Sequence, residues 1–333
     1  MGKSIISNPK KIVLSRTDSI GDVALTLPLA GILKDKFPDC KIIFLGNAYT
    51  QPLVECCEHI DEIWDWSTLS QKKLSDQVAL LTAAEIDVFV HVFPRKEIAQ
   101  LAKKANIKNR IGTSHRFFHW GTCNYRVNFT RKKSDLHEAQ LNTKLLQPFG
   151  INLDFSPAQL LHFAAFNRLP AMAHQHLDFF KSSKKNIILH AKSQGSALEW
   201  GVNKFIDLAL SSDKNKFNFY FTGTEKEGVL FRDKIPIQEN IFDLTGKMTL
   251  AELIAFIGKC DALVAASTGP LHIAGLLNIT TIGLFSSRKP IHPGRWQPLG
   301  NKVFIFEDKN NPSSTQPLNI PLRDISRALE ERL

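Results

Sequence analysis

The feature of the sequence that most constrains the fold is an alternation, repeated twice along the chain, of short apolar runs and amphipathic segments. In the first half, strand patterns lie at 11–14, 42–45, 63–64 and 86–92, and helical patterns lie at 23–36, 49–57 and 70–84. Such an alternation predicts right-handed βαβ units that build a parallel sheet.

The second half of the chain repeats this pattern. Its strand patterns lie at 186–190, 217–221, 262–265 and 281–285, and its helical patterns at 204–210, 225–234, 249–257 and 270–277. Between the halves, residues 148–170 show little periodicity and contain Pro, Gly and Asn, which is typical of a linker. A chain of 333 residues is long enough for two domains. We therefore predict an α/β protein with two doubly wound domains that face each other across a cleft.

The positive charge of the chain is concentrated in one segment. Residues 91–133 contain eleven basic residues and one acidic residue, Glu97, so this segment accounts for the whole net charge of +10. Aromatic residues, among them Phe117 and Trp120, are interleaved with the bases. Clustered positive charge attracts anions, which here could be a phosphorylated substrate, an anionic lipid surface or nucleic acid. Nucleic acid is disfavoured because no nucleic-acid-binding motif accompanies the cluster, and a solvated surface without a partner is the alternative.

Several classes of protein are disfavoured by what the sequence lacks. It has no apolar stretch of the ~18 residues that a membrane span requires and no apolar leader. Its five cysteines show no disulfide or zinc-ligand spacing, so we expect a cytoplasmic protein with no metal site. Dinucleotide-binding, P-loop, serine-hydrolase and zinc-protease motifs are absent.

The most informative loop follows the predicted strand at 262–265. It contains residue types that begin helices and allow a ligand close to the backbone, namely Ser267, Thr268, Gly269, Pro270, Leu271 and His272. Free amides at such a helix start bind phosphates. An ordinary well-capped helix explains the same residues equally well, and His272 could pack or cap rather than contact phosphate.

Three further segments offer polar groups at predicted strand ends. Asp22 could face a substrate or could stabilise the N-terminus of the following helix. Glu225 could accept hydrogen bonds from ribose hydroxyls or simply occupy the first turn of a helix. The loop that contains Lys192 and Ser193 could hold a pyrophosphate or could be solvated.

Three motifs, in this order, resemble the heptosyltransferase family of glycosyltransferases, glycosyltransferase family 9. They are Arg16-x-Asp18-x-Ile20-Gly21-Asp22-Val23 with Leu27-Pro28, Asp243-Leu244-Thr245-Gly246 with Leu250-Ala251-Glu252-Leu253, and Ser267-Thr268-Gly269-Pro270-Leu271-His272-Ile273-Ala274. The resemblance implies a GT-B fold, which consists of two Rossmann-like domains. It also implies inverting transfer of a sugar, typically heptose from ADP-heptose, to the lipopolysaccharide core.

The resemblance also implies roles for individual residues. Asp22 matches the carboxylate that deprotonates the acceptor, Glu225 matches a ribose-binding acid, and Met248 lies near the adenine pocket. The 267–272 loop matches the family's pyrophosphate loop. The groups of this loop could stabilise the leaving diphosphate without a metal ion or other cofactor. The sequence departs from the family at Leu198-Glu199-Trp200-Gly201, where a lysine is missing that Lys192 could replace, and at Ser267, where the family often has Asp.

These expectations define the domain boundaries and leave two alternative functions open. Residues 1–165 form an acceptor-binding domain, 166–318 a nucleotide-sugar-binding domain, and 319–333 a helix that crosses back to the first domain. The basic segment, including Arg95, Arg116, Arg126 and Arg131, holds a phosphorylated glycolipid acceptor or the inner-membrane surface. The alternatives are a nucleotide-sugar epimerase of the same fold and a non-catalytic nucleotide-sugar-binding protein.

Overall fold

The computed structural model describes residues 4–131, 134–180, 183–310 and 316–333. The chain divides into two compact units after Arg168, three residues beyond the expected boundary. Within the described residues, each unit is built on one parallel sheet of six strands with helices between the strands. The predicted α/β class is confirmed.

The first unit has the sheet order β3-β2-β1-β4-β5-β6. Its strands are β1 Lys11–Ser15, β2 Lys41–Gly46, β3 Glu62–Asp65, β4 Val88–His91, β5 Asn109–Thr113 and β6 Tyr125–Val127. Its helices are α1 Ile20–Ala24, α2 Pro28–Lys36, α3 Gln51–Glu55, α4 Trp66–Leu69, α5 Leu74–Ala83, α6 Lys96–Lys104, α7 Phe117–Thr122, α8 Glu138–Thr143 and α9 Pro157–Ala164.

The second unit has the sheet order β12-β11-β10-β7-β8-β9. Its strands are β7 Lys185–His190, β8 Phe217–Phe221, β9 Ile241–Asp243, β10 Ala262–Ala266, β11 Thr280–Ser286 and β12 Val303–Asp308. Its helices are α10 Val202–Ser211, α11 Glu225–Gly228, α12 Leu250–Ile257, α13 Gly269–Leu276, α14 Pro293–Trp296 and α15 Leu322–Arg332.

The central strands explain why the chain forms these sheets. In β1, Ile12, Val13 and Leu14 are fully buried, and every residue of β10 is buried. Continuous runs of small and branched apolar residues suit parallel strands that helices cover on both faces. The order of the strands along the chain reverses between β1 and β4 in the first sheet and between β7 and β10 in the second. Ligands bind at the carboxyl ends of strands at such switch points.

One expectation about chain organisation is wrong, and one stays a prediction. The segment 148–170 is more than a linker, because it contains α9, whose capping box joins Ser156 and Gln159 and which packs on α2. The helix that we expected at 319–333 is present as α15, which buries Ile325, Ala328 and Leu329 in the core of the second unit. Its crossing to the first domain stays a prediction. Its apolar residues, spaced three and four apart, form one face that packs against α10.

Candidate active site

All the residues that we expected to bind the donor lie at the carboxyl edge of the second sheet. They follow the ends of four neighbouring parallel strands, β7, β8, β9 and β10. These residues are Lys192 and Ser193 after β7, Glu225 after β8, Met248 after β9, and Ser267, Thr268, Gly269, Pro270, Leu271 and His272 after β10. The sheet therefore brings together segments that are more than 70 residues apart in sequence.

The turn between β10 and α13 leaves its capping hydroxyl unused. Thr268 is the N-cap residue, yet its side chain makes no capping hydrogen bond, and its Oγ1 is buried without a partner among the described residues. Only 5% of the Thr268 surface is exposed. A buried hydroxyl without a partner is costly, and a helix start attracts anions. The ordinary capped helix that was our alternative is therefore not what the structure shows. His272 is buried in the first turns of the same helix.

The loop after β7 is organised around the carboxylate of Glu199, which is not among the predicted site residues. Glu199 accepts hydrogen bonds from Nζ of Lys192, at 2.5 Å, and from the backbone N–H of Ser193, at 2.9 Å. At the strand end, His190 Nδ1 lies 3.0 Å from Oγ1 of Thr222, which links β7 to β8. Burial lowers the pKa of His190, and the carboxylates of Glu227 and Glu199 oppose that shift. The loop is therefore ordered by its own hydrogen bonds rather than simply solvated.

Glu225 is held in a fixed orientation at the start of α11. Arg232 donates to both of its carboxylate oxygens, at 2.8 and 2.7 Å, and also contacts Asp243 at 2.8 Å. These hydrogen bonds with Arg232 lower the pKa of Glu225, so the carboxylate is ionised at neutral pH. Gly246 has a φ of +72°, and a Cβ at that position would overlap Oε2 of Glu225. The glycine therefore provides both the turn and the space for this carboxylate.

The carboxyl edge of the first sheet carries Asp22. Asp22 lies in the first turn of α1, where the hydroxyl of the N-cap residue Ser19 donates to Oδ2 of Asp22. Arg16, which directly follows β1, donates to Oδ1 of the same carboxylate. The side chain of Asp22 keeps 18% of its surface exposed. Asp22 therefore takes part in capping α1, and its arginine-bound carboxylate is partly accessible. Its role toward a substrate stays a prediction.

Arg16 is the centre of a buried ionic network. The guanidinium contacts Asp18 at 2.7 Å and Glu138 at 3.5 Å in addition to Asp22. Burial lowers the pKa of Arg16, but the three carboxylates outweigh burial and raise it. Burial raises the pKa of Asp18 to about 6, although Arg16 opposes this shift. Arg131 completes the network through a 2.7 Å contact with Glu138.

The structure separates the four arginines that we expected to bind the acceptor. Arg95 donates to the carbonyl of Thr17 at 3.2 Å, in the loop between β1 and α1. Arg131 contacts Glu138, which Arg16 also contacts. Arg116 and Arg126 instead are exposed residues that flank α7. Lys132 and Lys133, which belong to the same basic segment, lie outside the described residues.

The sequence assigned no role to three residues that organise these edges: Arg16, Glu199 and Arg232. Arg16 has a detectable signal, because a basic residue directly after a buried strand is followed within six positions by two acids. Arg232 and Glu199 have no comparable signal, since their partners are set by the three-dimensional path of the loops.

The comparison with known proteins decides the family. The family model of glycosyltransferase family 9 (heptosyltransferase) matches residues 83–319, which is most of the chain. The chain is a family 9 glycosyltransferase. It is 26% identical over 336 residues to a Haemophilus influenzae protein provisionally named a glycosyltransferase, with 97% of this chain and 95% of that protein covered.

Two further relatives of this family 9 glycosyltransferase are named more specifically. It is 22% identical over 338 residues to the lipopolysaccharide core heptosyltransferase OpsX of Haemophilus influenzae, with 93% of this chain and 90% of the relative covered. The structure of Escherichia coli ADP-heptose lipopolysaccharide heptosyltransferase II is similar at 16% identity, with a TM-score of 0.75 and coverage of 97% and 98% of the two chains. This similarity shows the GT-B fold.

Two further properties of the glycosyltransferase concern metals and membranes. Among the described residues, no group of three or more His, Cys, Asp or Glu side chains could hold a metal ion. None of the helices in the described ranges has the length and apolar character needed to cross a bilayer.

Proposed function

We propose that this glycosyltransferase moves a heptose from ADP-heptose to the lipopolysaccharide core with inversion at the anomeric carbon. The observation that supports this most strongly is the grouping of the donor-type residues at one sheet edge, in a chain that belongs to family 9. OpsX is named a lipopolysaccharide core heptosyltransferase, and the similar Escherichia coli structure is named for ADP-heptose. Both names support the choice of donor and acceptor.

In this proposal the second unit binds the nucleoside diphosphate. Glu225, oriented by Arg232, accepts hydrogen bonds from the ribose hydroxyls, and Met248 contacts the base. The diphosphate lies against the start of α13, where the unpartnered hydroxyl of Thr268 donates to it. Lys192 is the cation available at the neighbouring loop, and it exchanges part of its contact with Glu199 for a phosphate oxygen.

The chemical step is a single displacement. Asp22 accepts the proton of the acceptor hydroxyl as its oxygen attacks the anomeric carbon, and the bond from that carbon to the diphosphate oxygen breaks. Negative charge develops on the leaving ADP, where the helix start and Lys192 stabilise it. Attack from the face opposite the leaving group inverts the configuration. Arg16 and Ser19 hold the carboxylate of Asp22 in position for this proton transfer.

The acceptor is a phosphorylated glycolipid in this account. Arg95 contacts the loop that precedes α1, and Arg131 belongs to the ionic network of Arg16. Arg116 and Arg126 extend the positive surface along the segment after β5. Positive charge at this edge attracts an anionic acceptor. We propose a cytoplasmic location at the inner membrane because the lipopolysaccharide core is carried on a membrane lipid.

A product assay tests the transfer and separates it from both alternatives. With ADP-heptose and core oligosaccharide, a transferase releases ADP and extends the oligosaccharide, whereas an epimerase converts the donor without acceptor. A binding protein does neither. The match to family 9 favours transfer over epimerisation. Donor conversion that does not require the oligosaccharide would contradict the proposal.

A further inference from the structure

An aromatic surface projects from the first unit at α7. Phe117 is 94% exposed and Trp120 is 61% exposed. Phe117 follows the carboxyl end of β5 by four residues, so it lies at the same edge of the sheet as the loop that contains Asp22. Large aromatic side chains lose favourable burial when they stand in water, and clustered ones indicate an interaction site. We call Arg116, Phe117, Trp120 and Arg126 the α7 surface.

The helix that displays these aromatics is fixed in position by its other face. His119 is fully buried, its Nδ1 lies 2.9 Å from the carbonyl of Thr113, and its ring fills the space where Gly112 lacks a Cβ. The indole N–H of Trp120 donates to the carbonyl of Ser114 at 3.0 Å. The packing of α7 therefore holds Phe117 in its outward orientation.

The charge around the α7 surface has one sign. Arg126 places its guanidinium 4.7 Å from the centre of the Trp120 ring and also donates to the carbonyl of Cys123. Arg116 is exposed directly before Phe117. The sequence contains no Asp or Glu from residue 98 to residue 134. A tryptophan and a phenylalanine framed by arginines match the chemistry of an anionic bilayer, where the rings enter the interface and the cations meet lipid phosphates.

We infer that the α7 surface docks this protein onto an anionic lipid bilayer, with Phe117 as the inserted side chain. A protein partner would have to supply a complementary acidic patch, whereas a bilayer offers both the apolar interior and the negative charge. Docking through α7 would present the edge that carries Asp22 to a lipid-anchored acceptor. The inference itself does not depend on the donor or on catalysis.

Co-sedimentation of the full chain with lipid vesicles tests the inference. We expect binding to vesicles that contain about 30% phosphatidylglycerol, little binding to pure phosphatidylcholine, and weaker binding at higher salt. Phe117→Ser should weaken partitioning about tenfold because it removes the inserted ring. Arg116→Ala should weaken it about fivefold. Ile237→Ser and Lys214→Ala are matched controls in the second unit, since both of these residues are exposed.

Each result has a definite meaning, because the vesicles contain neither donor nor acceptor. Loss of binding in the two α7 variants, with both controls and all unfolding temperatures unchanged, supports the inference. Equal binding to neutral and anionic vesicles, or equal loss in Phe117→Ser and Ile237→Ser, overturns it. A dimer that forms without vesicles and is abolished by Phe117→Ser would assign the surface to a second copy of the chain instead. None of these results bears on whether ADP-heptose is the donor.

Discussion

Arg16 and Asp22 form an ion pair across the turn that leads from β1 into α1, and the arginine has only 3% of its side chain exposed. The pair joins the structural core of the first unit to the carboxylate that we propose as the base. The same guanidinium also contacts Asp18 and Glu138, so Arg16 is the cation that the three carboxylates share, and Arg131 is a second cation at Glu138.

Replacing Arg16 should destabilise the first unit strongly. In Arg16→Met the three carboxylates lose their shared cation, and breaking a buried pair in this way costs about 3–5 kcal/mol. Lys216→Met is the matched control, since Lys216 pairs with Glu330 at 3.2 Å on the surface and such pairs contribute about 0–1 kcal/mol. Denaturant unfolding measures both variants. Equal losses of unfolding free energy would show that the network does not depend on Arg16.

Asp18 should make stability depend on pH between about 4 and 6. Burial raises its folded-state pKa to about 6, above the value in the unfolded chain. The folded state therefore binds a proton at Asp18 more tightly than the unfolded chain does. The stability that this proton contributes is fully present below pH ~4 and is lost as pH rises through about 6. Asp18→Asn should remove this pH-dependent loss of stability, because asparagine does not titrate. The unfolding free energies of wild type and variant, compared at several pH values, should diverge in favour of the variant as pH rises over this interval. A constant difference would contradict the assignment.

Gly246→Ala should impair donor binding through Glu225. The added methyl would overlap Oε2 of Glu225 and would also meet a backbone with positive φ. Displacing a carboxylate that accepts ribose hydrogen bonds should weaken ADP binding about tenfold. Gly150→Ala is the matched control, because Gly150 has a φ of +69° but lies in the first unit against Ile5. Calorimetric titration measures the affinity of both variants for ADP. Backbone strain is common to the two variants, so a loss of affinity in Gly246→Ala alone comes from the displaced carboxylate. Similar affinities in the two variants would show that Glu225 does not bind ribose.

The nucleotide base can be ranked by thermal stability. A ligand at about 100 times its Kd adds about 2.7 kcal/mol to the unfolding free energy. We expect ADP and ADP-heptose to stabilise the chain more than UDP, GDP or their sugars at equal concentration. A larger shift with a uridine or guanosine nucleotide would refute ADP-heptose as the donor while leaving sugar transfer itself untouched.

The sequence predicts the apolar central strands and the edge strand β3, and it misses β5, β6, β9 and β12. Buried strands such as β1 and β10 consist of apolar residues and are recognisable. β5, with Asn109 and Arg110, and the three-residue β6 and β9 have no such composition, because neighbouring strands rather than their own residues define them. β12 does contain an apolar run, Val303 to Phe306, which would have allowed its prediction.

The candidate site was predictable to a similar degree. Strand ends and motifs give the positions of Asp22, Glu225 and the Ser267–His272 loop, because parallel strands place their carboxyl ends at one edge. The partners of these residues were not predictable. The bonds of Arg232 to Glu225 and of Glu199 to Lys192 depend on how each loop turns back on itself. Likewise, only the structure shows that the basic segment separates into a part beside Asp22 and the α7 surface.

The role of Asp22 can be measured most directly by comparing the wild type with Asp22→Asn, which keeps the shape of the side chain and removes its basicity. We predict that heptose transfer from ADP-heptose to core oligosaccharide falls about 10²–10⁴-fold in kcat, while the Kd for ADP stays within about twofold. Asp35→Asn, at an exposed position near the end of α2, should behave like the wild type. Transfer by Asp22→Asn at the wild-type rate would contradict the account.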